Sequence, residues 1–184
     1  MAGPGGNRMS AERSTNGKQK PVAPVSPPLN VKGGDERQGF EMAVDRARRL
    51  LRMRMWGFWE GPTGELFMAA ALLFARGLAG APWCVLADTR EYMAQSERVT
   101  ELRKQTMIGC SSMGCTKIAA IVSGAAYLMQ FKRIANESQV GSATFQDEAS
   151  AMAWLFGDSG KVAVPDSRNK LLPSQPFDHR RNRR

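Results

Sequence analysis

The sequence predicts an α/β domain: a mixed sheet of about five strands in the order ββαβαβαβα, about four helices, and a tail at each end. Three observations lead there. Between residues 40 and 157 the apolar spacing switches repeatedly between period two and period 3.6. Two continuous apolar runs, 83–87 (WCVLA) and 117–122 (KIAAIV), lie between amphipathic helical patterns, as in parallel strands covered on both faces. Residues 144–156 read as a strand end running into a capped helix, and the pattern stops at Gly157.

Residues 1–39 are rich in Gly, Pro, Ser and Asn and hold no aromatic side chain, so they cannot bury enough apolar surface to offset the entropy of ordering. They are read as a disordered N-terminal tail, residues 40–157 as the folded domain, and residues 158–184 as a disordered basic tail ending in HRRNRR. In the domain, Phe40, Met42 and Val44 alternate with Glu41 and Ala43, and Asp45-Arg46-Ala47-Arg48 makes a polar turn. From 49 to 59, Leu51, Met53, Met55 and Trp59 share one face and Arg52 and Arg54 the other, completing a hairpin. Trp56 and Phe58 fall on the arginine face, which is then covered at its far end or presents an aromatic patch.

Residues 60–64 (EGPTG) break the strand, and Leu66, Phe67, Ala70, Leu73, Phe74, Gly77 and Leu78 follow at helical spacing. Pro82 introduces WCVLA, which Asp88 closes. The loop 89–95 leads to a second helix with Ser96 as N-cap, Glu97 in the first turn and Val99, Leu102, Thr106 and Met107 on its apolar stripe. KIAAIV is the next strand, and Leu128, Phe131, Ile134 and Ala135 mark one face of a third helix. Strand 142–145 feeds the last helix. Asp147 caps it, Glu148 meets its dipole, and Ala149, Met152, Ala153 and Phe156 recur at helical spacing. Trp154 lies off that stripe, so it either widens the buried face or stays partly exposed. Helical crossovers make the later strands parallel.

The formal charge is +9, from 26 Lys and Arg against 17 Asp and Glu. Residues 40–157 hold thirteen cations against eleven acids, so the excess belongs mainly to the tails. Arg180, Arg181, Arg183 and Arg184 are therefore the candidate contacts for a polyanion, nucleic acid or anionic membrane. Cys84, Cys110 and Cys115 are odd in number and form no C-x-x-C pair, which fits a reducing compartment. With no secretory leader pattern, and with the most apolar stretch (66–78) short and interrupted by Arg76, a cytoplasmic protein is expected.

The single histidine, His179, lies in the tail, so the domain has no imidazole to act as base or metal ligand. Residues 61–64 (GPTG) lack the lysine of a phosphate-binding loop. An enzyme is not expected, and no cofactor or metal is assigned. Asp88, at the end of a central strand with Arg90 just after it, is a candidate contact for a partner, as are Arg52, Arg54, Trp56 and Trp154. Arg46, Arg48, Arg49, Arg52 and Arg54 form the densest basic cluster, with Arg48, Arg52 and Arg54 on one side of the hairpin.

The hairpin FEMAVDRARRLLRMRMWG, the EGPT turn, the strands VLAD and KIAAIVSG, and the ending FQDEASAMAWLFG, in that order, resemble the STAS superfamily (sulfate transporter and anti-sigma factor antagonist domains), in particular its SpoIIAA-like branch. The resemblance implies a non-catalytic protein-interaction domain with a regulatory or scaffolding role in bacterial-type signalling. Its implied partners are a kinase or a sigma or anti-sigma-type regulator, with self-association open. It also implies a phospho-switch at the start of the second helix, making Ser96 and Thr89 the candidates. The stretch 92–98 (YMAQSER) departs from the family's Asp-Ser-(Ser/Thr)-Gly pattern, with neither the Asp nor the Gly. Through its likeness to lipid-transfer folds, the branch further implies a small apolar ligand between helix and sheet.

Overall fold

Alternation of apolar and polar residues draws the chain into a hairpin of β2 (Gly39–Asp45) and β3 (Leu50–Gly57), paired antiparallel. The Asp45 carboxylate accepts the Arg48 N–H in the turn at 3.0 Å. The computed structural model describes residues 30–138 and 140–157. Residues 1–29 and 158–184, with Arg180, Arg181, Arg183 and Arg184, lie outside the described residues.

The sheet has six strands in the order β1-β2-β3-β4-β5-β6. The added strand is β1 (Asn30–Gly34), inside the stretch read from composition as a tail, and it pairs antiparallel with β2. Val31 is its one apolar side chain apart from the glycines, so no periodicity marks it. What holds it is non-local. A Cβ at Gly33 would lie 2.6 Å from ring atoms of Phe40, so only glycine lets this backbone lie over that buried ring.

Helix α1 (Gly61–Leu78) begins within the supposed breaker, because Pro62 fits a first turn where its missing N–H costs nothing. Gly64, Phe67, Ala71, Phe74 and Ala75 face inward, while Leu66 and Leu73 point outward. Strands β3, β4 (Trp83–Tyr92), β5 (Cys115–Ile121) and β6 (Gly141–Phe145) run parallel. Between them lie α1, α2 (Glu97–Ser112) and α3 (Ala125–Ser138). The strands follow chain order across the sheet, so crossovers of one hand put all three helices on the same face. One large core results there, with Met55, Trp59, Phe67, Phe74, Tyr92, Tyr127 and Phe131 at its centre.

Among the described residues the opposite face receives only α4 (Glu148–Phe156), which packs Ala151 and Leu155 in one cluster with Leu50, Cys84, Leu86, Ala119 and Ile121. The buried stripe of α4 is thus out of phase with the expected one. Ala149, Ala153 and Phe156 are exposed, while Met152 and Trp154 are half-buried at its flanks. Alanines on every side of this short helix leave its phase to the sheet. A second difference concerns β4, which runs ten residues to Tyr92, so Asp88 is a mid-strand residue opposite Arg54 and Ile121 and 89–92 is not loop. Beyond the cover of α4 the outer face of β4 meets solvent, and charged side chains there continue the strand rather than stop it.

Candidate functional site

Two surfaces gather the residues that the sequence singles out. The first is the open half of the outer face, where β1–β4 and the start of α4 enclose a groove of about 580 Å3 lined in part by Arg52, Arg54, Asp88 and Glu148, with Leu86 and Ile121 on its floor. Arg52 bonds Glu148 at 2.6 Å, Arg54 grips both oxygens of Glu91 at 2.9 and 3.1 Å, and Arg90 bonds Asp88 at 2.6 and 3.0 Å. Arg90 holds the Asp88 carboxyl below its ordinary range. Trp56 is buried, donates its indole N–H to the Asp35 carbonyl at 2.9 Å, and carries Lys32 and Arg54 over its ring at 5.7 and 5.4 Å.

The basic cluster of the hairpin is dispersed by folding. Arg48 turns to Asp45. Arg49, with φ of 51°, caps the C-terminal end of α1 by donating to the carbonyls of Leu78, Ala81 (2.7 Å) and Pro82 (3.0 Å). With Arg52 and Arg54 also paired, no continuous basic strip faces solvent there. Trp154 is not brought to the groove. It packs against Phe145 with the rings tilted and their centroids 5.8 Å apart, on the β6 side of α4, with Lys117 over its ring at 5.3 Å.

The second surface is the edge where β3 and β4 end. Gln95 is buried there and ties three segments together. Its side-chain amide donates to the carbonyls of Gly57 (3.1 Å) and Met93 (2.7 Å) and accepts the Trp59 N–H at 2.7 Å. Its backbone is clasped by Gln130 of α3 through bonds of 2.9 Å in each direction. Gly57, at φ +76°, admits no side chain, since a Cβ would lie 2.0 Å from the Arg37 carbonyl. On this frame Phe58 and Met93 stand exposed at 50% and 58%. Ser96 follows directly, exposed, its hydroxyl accepting the Val99 N–H at 3.4 Å as the cap of α2. Thr89, the other candidate for modification, is 1% exposed and donates its hydroxyl to the Ile121 carbonyl at 2.7 Å, so a kinase could reach it only by opening the sheet.

Between helices and sheet the interior is filled. The cavity there, lined by Phe67, Val85, Met107, Phe131 and Arg103 among others, is about 30 Å3, the share of a single water and far below a lipid or sterol. Arg103 is buried with no carboxylate partner among the described residues, bonding Met55 Sδ at 2.9 Å and the Tyr127 hydroxyl at 3.4 Å, over the rings of Phe67 (5.0 Å) and Tyr92 (5.4 Å). Burial pushes the thiol of Cys110 up to about 12 and that of Cys115 higher still, so neither is a nucleophile at neutral pH. Among the described residues no group of three or more His, Cys, Asp and Glu side chains is placed to hold a metal ion, and no helix is long and apolar enough to cross a membrane.

Sequence reasoning missed Gln95, Gln130, Met93, Arg103 and the capping role of Arg49, and of the two alternatives it left for Trp56 and Phe58 the structure covers Trp56 and exposes Phe58. The only local signal was the neighbourhood of Ser96, since every partner of Gln95 except Met93 is at least 35 residues away.

A mixed sheet with three helices on one face and a single short helix on the other defines an α/β domain. The solved structure of an uncharacterized protein of the DUF3478 family with a SpoIIAA-like fold, from Shewanella loihica PV-4, superimposes on it with a TM-score of 0.52 at 17% sequence identity, covering 67% of this chain and 98% of that one. The fold is SpoIIAA-like. No family model and no curated protein matches the sequence.

Proposed function

We propose that this chain is a non-catalytic interaction domain with a regulatory or scaffolding role in bacterial-type signalling, and that a protein partner docks where β3 and β4 end. One observation carries the reading: the Gln95 frame holds Phe58 and Met93 out to solvent beside the exposed Ser96 cap. Apolar side chains fixed on a hydrogen-bonded frame lose little entropy on docking, which suits a binding surface. Open α/β sheets also place their ligands at the carboxyl ends of parallel strands.

Ser96 is the candidate switch. A phosphate on it would stand at the N-terminus of α2, where free N–H groups and the helix dipole favour negative charge, next to the apolar pair it would alter. A kinase or a sigma-type regulator is the partner class that the STAS resemblance suggests. The test is affinity capture from a lysate of the source organism with the full chain, against Phe58→Ser/Met93→Ser and Ser96→Glu. The reading expects specific partners that the double variant loses by at least tenfold and that Ser96→Glu changes. Equal capture by all three chains, each folded by circular dichroism, would sink it.

A further inference from the structure

We infer that the open half of the outer face is a self-association surface, and that what covers it is a second copy of this chain. The strand register places Lys32 opposite Glu41, Glu41 opposite Arg54, and Arg54 opposite Asp88. One row of outward side chains therefore runs positive, negative, positive, negative from β1 to β4, spanning about 14 Å at the usual strand spacing. Lys32 and Glu41 bond within the chain at 3.1 Å, and Arg54 and Asp88 hold Glu91 and Arg90, which add one charge of each sign. A row balanced in this way favours neither a polyanion nor a polycation.

An alternating row with an even number of charges is complementary to itself. Turned about a twofold axis through its centre, between Glu41 and Arg54, it brings Lys32 to the second copy's Asp88 and Glu41 to the second copy's Arg54, and the reverse. The shape agrees. Helix α4 lies chiefly over β4–β6, with Glu148 and Met152 reaching Arg52 of β3, so the same rotation sets the α4 of each copy toward and beyond the β1 edge of the other. The open β1 edge of each copy is then shielded. Four strands about five residues deep make a face of roughly 15–20 Å on a side. That is smaller than the roughly 800 Å2 per partner of a standard interface, so the dimer is weak, micromolar or weaker, and held largely by charge.

Sedimentation velocity on the full chain, from about 5 to 500 μM at low salt, should show a monomer passing to a dimer that dissociates near 1 M salt, where the screening length is about 3 Å. Glu41→Arg and Arg54→Glu should each abolish the dimer, because each sets like charges opposite one another twice. Mixed in equal amounts they should form a heterodimer, since the altered position of one chain then faces an opposite charge on the other. A wild-type chain monomeric at 500 μM, a dimer indifferent to either reversal, or a mixture that stays monomeric would each overturn the proposal. The surface and its test are independent of the docking edge around Phe58 and Met93.

Discussion

Arg103 sets the terms at the scale of single residues. A guanidinium taken from water costs several kcal/mol, and its compensation here is two aromatic faces, a thioether and a phenol oxygen rather than a carboxylate. Each desolvated cation–π contact returns about 2 kcal/mol. Arg103→Met should therefore fold with stability within about 1 kcal/mol of the parent or above it, because an apolar side chain of similar length removes the desolvation cost and keeps the packing. Arg103→Ala should lose about 2–4 kcal/mol by opening a cavity. Urea unfolding of the pair checks this, and a methionine variant as damaged as the alanine one would mean that the positive charge itself is needed. Asp88 offers a second measurement. Its folded pKa lies below the ordinary 3.8, first through the Arg90 side chain, so its contribution is complete above 3.8 and is lost as the pH falls through the lower folded value. Carboxyl carbon titration by NMR should place Asp88 below 3.8 and move it upward in Arg90→Ala.

At the scale of elements, the Gln95 side-chain amide joins the end of β3 to the end of β4, and the Gln130 amide ties α3 to the Gln95 backbone. Gln95→Leu keeps the size but leaves the buried Trp59 N–H without its acceptor and the Met93 carbonyl without the Gln95 donor, while the Gly57 carbonyl keeps the Met93 N–H at 3.2 Å. The expected loss is about 3 kcal/mol, with the Trp59 amide changing from slow to fast hydrogen exchange. Unchanged protection of that amide would show that the frame does not depend on the side chain. The same contrast explains what could be read in advance. The hairpin of β2 and β3, the stripes of α2 and α3 and the caps at Ser96 and Asp147 were legible because their determinants lie within a few residues of one another. Gln95 and Arg49 were not, because their roles are fixed by carbonyls and amides that meet only after folding. Helix α4 was placed correctly in the chain but rotated wrongly, since Ala149, Ala151 and Ala153 look alike until the sheet chooses Ala151.

For the whole molecule, sequential strand order with crossovers of one hand puts three helices on one face and leaves the other to a nine-residue helix and a set of paired charges. This topology makes the N-terminal boundary decisive. Composition set the start of the domain at residue 40, yet β1 forms the outer strand of the sheet and lays Gly33 over the Phe40 ring, which is fully buried. A chain beginning at residue 38 should therefore lose the burial of that ring, about 1.5–3 kcal/mol, together with the ladder that pairs β2. It should also expose β2 as a seven-residue edge with Phe40 and Met42 uncovered, a template for pairing between chains. A chain beginning at residue 29 keeps β1 and should melt like the full chain. Thermal denaturation with sedimentation of the two truncations decides the point: the shorter one should melt several degrees lower and associate as concentration rises. Equal melting points and a monomeric short chain would show that β1 contributes nothing to the sheet it borders.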